Sequence, residues 1–85
     1  MAEETRIGEV KGYYSRIGVA AIDLTGTLKI GDNVHIRGST TDFQQVVGSM
    51  QIEHENVTEA GAGQSIGVKV QDRVRRGDQV YLVTE

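Results

Sequence analysis

Apolar and polar residues alternate with a period of two in several short runs. Leu28 and Ile30, Val34 and Ile36, Ile66, Val68 and Val70, then Val80 and Leu82 are each interleaved with other, mostly polar residues. On an extended chain successive side chains face opposite sides, so each set marks one buried face of a sheet. Glycine recurs from Gly8 to Gly77 at intervals that leave little room for a helix of three turns. The pattern predicts strands near Ile7–Lys11, Gly18–Leu24, Asn33–Arg37, Phe43–Ile52, Ser65–Val70 and Gln79–Val83. One helical turn is expected over Asn56–Gly61, where Asn56 would cap, Glu59 follows three residues later and Gly61 would end it. An open sheet of six short strands would leave two raw edges and an uncovered apolar face. The expectation is therefore an all-β, six-stranded, closed antiparallel barrel.

The chain has 85 residues, with three Tyr, one Phe and no Pro, Cys or Trp. That is room for one small domain, expected over residues 6–85 behind a flexible N-terminus of residues 1–5. Without cysteine there is no disulfide, thiol nucleophile or Cys-type zinc site, so the core must come from packed aliphatic side chains. Lys and Arg total 9 against 12 for Asp and Glu, a net charge of -3. A globally basic nucleic-acid binder is excluded; a local basic patch is not. Met1–Arg6 is polar and acidic, and no apolar run approaches the ~18 residues of a membrane helix. A cytoplasmic protein with no membrane partner is expected.

An internal correspondence links Leu28-Lys29-Ile30-Gly31-Asp32-Asn33-Val34-His35-Ile36 to Val74-Arg75-Arg76-Gly77-Asp78-Gln79-Val80-Tyr81-Leu82. Both read apolar, basic, any, Gly, Asp, amide, Val, any, apolar. Gly31 and Gly77 supply a positive φ to a tight turn, Asp32 and Asp78 bond local backbone two residues on, and the valine starts a strand. Arg76-Gly77-Asp78, the tripeptide of some adhesion proteins, is thereby assigned to a structural turn.

Candidate chemistry is sparse. A nucleotide-binding phosphate loop needs a Lys and a hydroxyl after its second glycine, and the nearest imitation, Gly61-Ala62-Gly63-Gln64-Ser65-Ile66-Gly67, lacks the Lys. His35 and His54 are the only imidazoles. On an extended strand His54 would point away from Glu53 and Glu55, so both histidines read as surface residues and neither metal nor catalytic residues are expected. Two surface features remain. Lys69, Arg73, Arg75 and Arg76 cluster around the last turn, where guanidinium groups can fork onto phosphates. Of Tyr13 and Tyr14, one should enter the core and the other stand exposed beside Lys11 and Arg16, a platform for base stacking or for a protein partner. Phe43 is expected as a core or loop anchor.

Four motifs then stand in order: Gly26–Ile36, Val47–Ile52, Ala60–Val70 and Arg76–Val80. Together they resemble the second, β-barrel domain of translational GTPases such as elongation factor Tu, over nearly the whole chain from Ile7 to Val83. The resemblance implies a closed six-stranded Greek-key barrel, standing here without its GTPase. It also implies a translation-associated, non-enzymatic role in binding tRNA, ribosomal RNA or the ribosome, with no cofactor and no small-molecule substrate. His54-Glu55-Asn56-Val57 and Val74–Leu82 resemble instead the C-terminal barrel of the collagenase-like peptidase family. That resemblance implies a protein-interaction subunit, docking on a separate enzyme or GTPase.

Overall fold

The computed structural model describes residues 3–84. Ten strands follow one another: β1 (Glu3–Tyr14), β2 (Val19–Leu24), β3 (Leu28–Lys29), β4 (Asn33–Arg37), β5 (Asp42–Val46), β6 (Met50–Ile52), β7 (Glu55–Asn56), β8 (Glu59–Ala60), β9 (Ser65–Lys69) and β10 (Gln79–Thr84). Among the described residues there is no helix. Eight strands join in one sheet, in the order β5-β4-β10-β1-β2-β9-β6-β7, and β3 pairs with β8 apart from it.

The long first strand bends the sheet. Its register slips between Arg6 and Gly8 against β10 and between Val10 and Gly12 against β2. Each slip is a bulge that adds a residue on one side and sharpens the twist. The curved sheet wraps a core in which Val10, Val47 and Val80 are wholly buried, with Ile22, Ile36 and Val68 scarcely exposed. The alternation read from sequence is present in β2, β4 and β9, whose inward residues include Ala20, Ile22, Val34, Ile36, Ile66 and Val68.

Four expectations need correction. First, β1 starts at Glu3, and Glu3, Glu4 and Thr5 pair with Thr84, Val83 and Leu82; Met1 and Ala2, the rest of the expected flexible tail, lie outside the described residues. Second, Asn56–Gly61 forms no helical turn. Its backbone is drawn into sheet instead: Val57 N–H donates to the Met50 carbonyl at 2.9 Å, and Glu59 and Ala60 pair with Lys29 and Leu28. Third, Ile30 is 39% exposed, because β3 stops at Lys29 and the chain turns there. Fourth, Phe43–Ile52 divides into β5 and β6 around residues 47–49. The sheet thus has two ends, β5 and β7, with no backbone ladder between them. The domain is all-β and barrel-like, and the expected six strands closed by one continuous ladder are not what the pairing shows.

The internal correspondence builds the same turn twice. Lys29 C=O accepts from Asp32 N–H at 3.1 Å, and Arg75 C=O from Asp78 N–H at 3.0 Å. Gly31 and Gly77 sit at φ 93° and 96° in the third position, the mark of a type II turn. The aspartates act backwards rather than two residues on: Asp32 Oδ2 accepts from Lys29 N–H and Asp78 Oδ2 from Arg75 N–H, each at 2.9 Å. Both glycine N–H groups then donate to adjacent backbone, the Val47 and Val10 carbonyls at 2.9 Å, whose own N–H groups donate to the Asp32 and Asp78 carbonyls.

Candidate functional site

Lys11, Tyr13, Tyr14 and Arg16 lie at the end of β1 and in the turn before β2. Tyr14 C=O accepts from the N–H groups of Ile17 and Gly18, which closes that turn. Tyr13 packs against the core, while Tyr14 is 59% exposed. Lys11 is held by Glu9 at 3.3 Å. Beside Tyr14, Ile17 is 62% exposed. Sequence reasoning passed it over because its alternation partner is not visible across a turn. The two side chains line a groove of about 390 Å³ together with Val19, Ala21 and Gly67 on the outer face of β2 and β9.

The far wall of this groove is the β6–β7 hairpin. Ile52 pairs with Glu55, so Glu53 and His54 alone reverse the chain, at φ 50° and 66°. They are not on an extended strand, as expected, but occupy the left-handed region that a two-residue hairpin loop demands. Left-handed backbone at two non-glycine residues stores strain, and such strain gathers at binding surfaces.

A second groove, of about 680 Å³, opens between β5 and the segment that follows β9, with Lys69 on its rim. Arg73, Arg75 and Arg76 are exposed on the loop before β10, around a buried Val74. Among the described residues none of these four cations joins an ion pair. No arginine or lysine lines the Tyr14 groove, and no tyrosine lines the Lys69 groove. The structure does not bring ring and cations into one groove.

His35, read as an ordinary surface residue, is gripped on the outer face. Nδ1 donates to Glu4 on β1 at 2.9 Å and Nε2 donates to Asp42 on β5. Burial opposes charge on the ring, yet the hydrogen bonds to Asp42 and Glu4 outweigh it and raise its pKa above the ordinary 6.5. The bond from His35 holds the Asp42 carboxyl below its usual 3.8. Among the described residues no cluster of three or more acidic or imidazole groups is arranged to hold a metal.

With the geometry in place, comparison decides the family. Residues 24–81 match the sequence model of elongation factor Tu domain 2. The chain belongs to the elongation factor Tu domain 2 family. The relatives carry the barrel in a different setting. The chain is 48% identical over 80 residues to an uncharacterized protease, MJ0090, of Methanocaldococcus jannaschii, covering 93% of this chain and 20% of that protein. It is 37% identical over 81 residues to a collagenase of Porphyromonas gingivalis, covering 93% of this chain and 22% of the collagenase. The chain thus spans about a fifth of the length of the curated relatives it matches. Among solved structures, the C-terminal domain of a Geobacillus thermoleovorans protein described as a U32 peptidase superposes with a TM-score of 0.86 at 22% identity, over 91% of this chain and 90% of that one. Its selenomethionine variant gives 0.85 at 23%, over 89% and 96%. At those identities the likeness is one of fold. The elongation-factor resemblance therefore stands for the barrel, and these relatives are peptidase-related rather than stand-alone translation modules.

Proposed function

We propose that the chain acts by binding, as an accessory barrel of the kind found in peptidase-type proteins, and docks on a companion domain or separate enzyme through the Tyr14–Ile17 face. No reaction and no cofactor are assigned to it. The observation that carries the reading is the pair of large apolar side chains, Tyr14 at 59% and Ile17 at 62% exposure, held outward over an apolar groove. Two large apolar side chains exposed side by side next to a groove make a contiguous patch, and aromatic and aliphatic anchors seated beside a pocket are what protein interfaces use.

The test mixes this chain with MJ0090 protein lacking its matching segment, and measures binding by calorimetry. A salt-insensitive complex is expected, weakened at least tenfold by the double change Tyr14→Ala and Ile17→Ser. Equal binding by the double variant, or none by either protein, overturns the reading. Four cations, Lys69, Arg73, Arg75 and Arg76, that join no ion pair among the described residues favour a second reading, contact with tRNA, ribosomal RNA or the ribosome. Affinity would then fall steeply with salt, and absence of binding at low salt removes it.

A further inference from the structure

The line along which the sheet fails to close is made of side-chain amides. Gln45 Nε2 donates to the Lys69 carbonyl at 2.8 Å, and Gln45 Oε1 accepts from the Gln71 N–H at 2.8 Å. A residue on a neighbouring parallel strand makes this same pair of bonds, to the carbonyl before and the N–H after the residue it faces. Gln71 answers across the seam, its Nε2 donating to the Gln44 carbonyl at 3.0 Å. Two glutamines therefore stand in for a strand.

Main chain on both flanks already aims there. Val47 spends its N–H and C=O on Asp32 and Gly31, so the alternate residues Gln44 and Val46 turn theirs the other way, toward the seam. Val70 N–H is taken by Gly18 on the far side, which leaves Lys69 C=O and Gln71 N–H facing β5. Val46, 61% exposed, and Val70 give the groove an apolar lining.

We propose that this seam binds an extended polypeptide segment by strand addition. The incoming main chain takes over the bonds now made by Gln45 and Gln71, and an apolar side chain covers Val46. The exchange replaces amide by amide, so few hydrogen bonds are lost when the glutamines swing out. A strand inserted here lies ~4.8 Å from each flank, so the seam admits it only as the two glutamines swing out and the flanks part. The chemistry favours peptide over nucleic acid: Lys69 is the one cation on the groove, and the carbonyls of Gln44 and Lys69 repel phosphate. This surface is separate from the Tyr14 face, and either assignment can fail alone.

The isolated barrel of a relative has been crystallised, so such a domain folds by itself. The 85-residue chain, labelled with nitrogen-15, is titrated with reduced and carboxymethylated α-lactalbumin, a permanently unfolded polypeptide. Saturable shifts are expected at the side-chain amides of Gln45 and Gln71 and at the N–H groups of Gln44, Val46 and Gln71. Val46→Lys places a charge on the edge without entering the core, and Val46→Pro deletes an edge N–H. Each should weaken binding at least tenfold while the spectrum keeps its dispersion, and the Tyr14→Ala, Ile17→Ser double variant should bind as the parent does. Absence of shifts, shifts centred on Tyr14 and Ile17, or undiminished binding by Val46→Lys overturns the proposal. So does a dimer seen by light scattering that Val46→Lys dissolves, which would make the seam a contact between copies of this chain.

Discussion

The hairpin between β6 and β7 is held in a backbone conformation that its residues disfavour, and relieving it should stabilise the protein. Gln51 pairs with Asn56 and Ile52 with Glu55, which leaves Glu53 and His54 as the whole of the loop. Both have positive φ, 50° and 66°, as a type I′ turn requires. A residue with a Cβ loses ~1–2 kcal/mol there relative to right-handed backbone. Asn tolerates the region and recovers part of that cost; Gly recovers all of it but gives back ~0.5–1 kcal/mol of unfolded-chain entropy. Glu53→Asn with His54→Gly should therefore gain ~1 kcal/mol in total, which in a domain of this size raises Tm by ~4–8 °C. Both side chains are exposed and neither makes a hydrogen bond among the described residues, so no contact offsets the gain. Thermal and urea unfolding followed by circular dichroism measure it, with an unchanged m-value as the check that only stability moved. An unchanged or lowered midpoint would mean that the loop is not strained as its dihedrals imply.

The duplicated turns should fail alike. Nothing lies within 4 Å of a Cβ built on Gly31 or Gly77, so Gly31→Ala and Gly77→Ala meet only the left-handed backbone and should each cost ~1–2 kcal/mol in urea unfolding. A neutral effect at either site would deny it the type II geometry. The His35 cluster gives a pH dependence of defined sign. The folded pKa of His35 is raised, so its stabilisation is fully present below about 6.5 and is lost as pH climbs through the raised value. Asp42 is depressed, so its share is present above about 3.8 and is lost as pH falls through the lowered value. The urea midpoint should peak between those limits, and His35→Gln should flatten the alkaline side; an identical profile in the variant would show that the clasp contributes nothing.

Much of the fold was legible because it is written in local rules. Period-two alternation marks the inward faces of β2, β4 and β9, and the Gly-Asp pairs mark both turns. What was not legible depends on pairing between distant residues. Asn56–Gly61 carries capping chemistry for a helical turn, yet Glu59 and Ala60 meet Lys29 and Leu28 across the fold, and a ladder outweighs a lone turn that fixes several dihedrals for one hydrogen bond. The run Phe43–Ile52 is broken because Val47 is committed to Gly31 and Asp32. The His35 clasp joins residues 31 positions apart, and the glutamine seam joins residues 26 apart; no spacing rule reaches that far. Of the surface residues, the contrast between Tyr13 and Tyr14 follows from strand alternation, whereas Ile17 owes its exposure to the turn.

The same duplication bears on how the basic loop should be read. In both copies of the type II turn the second residue stands exposed although its chemistry differs. Arg76 holds that position in one copy; in the other it is held by Ile30, 39% exposed with no cationic character at all. The exposure of Arg76 is thus a consequence of turn geometry, and Val74, buried between Arg73 and Arg75, sets the outward course of those two in the same way. Side chains displayed by an obligatory turn are weaker evidence of a ligand than side chains displayed where the backbone offers an alternative. Tyr14, exposed at the end of strand β1 rather than inside such a turn, and Gln45, whose amide bridges β5 to the segment after β9, are of the second kind.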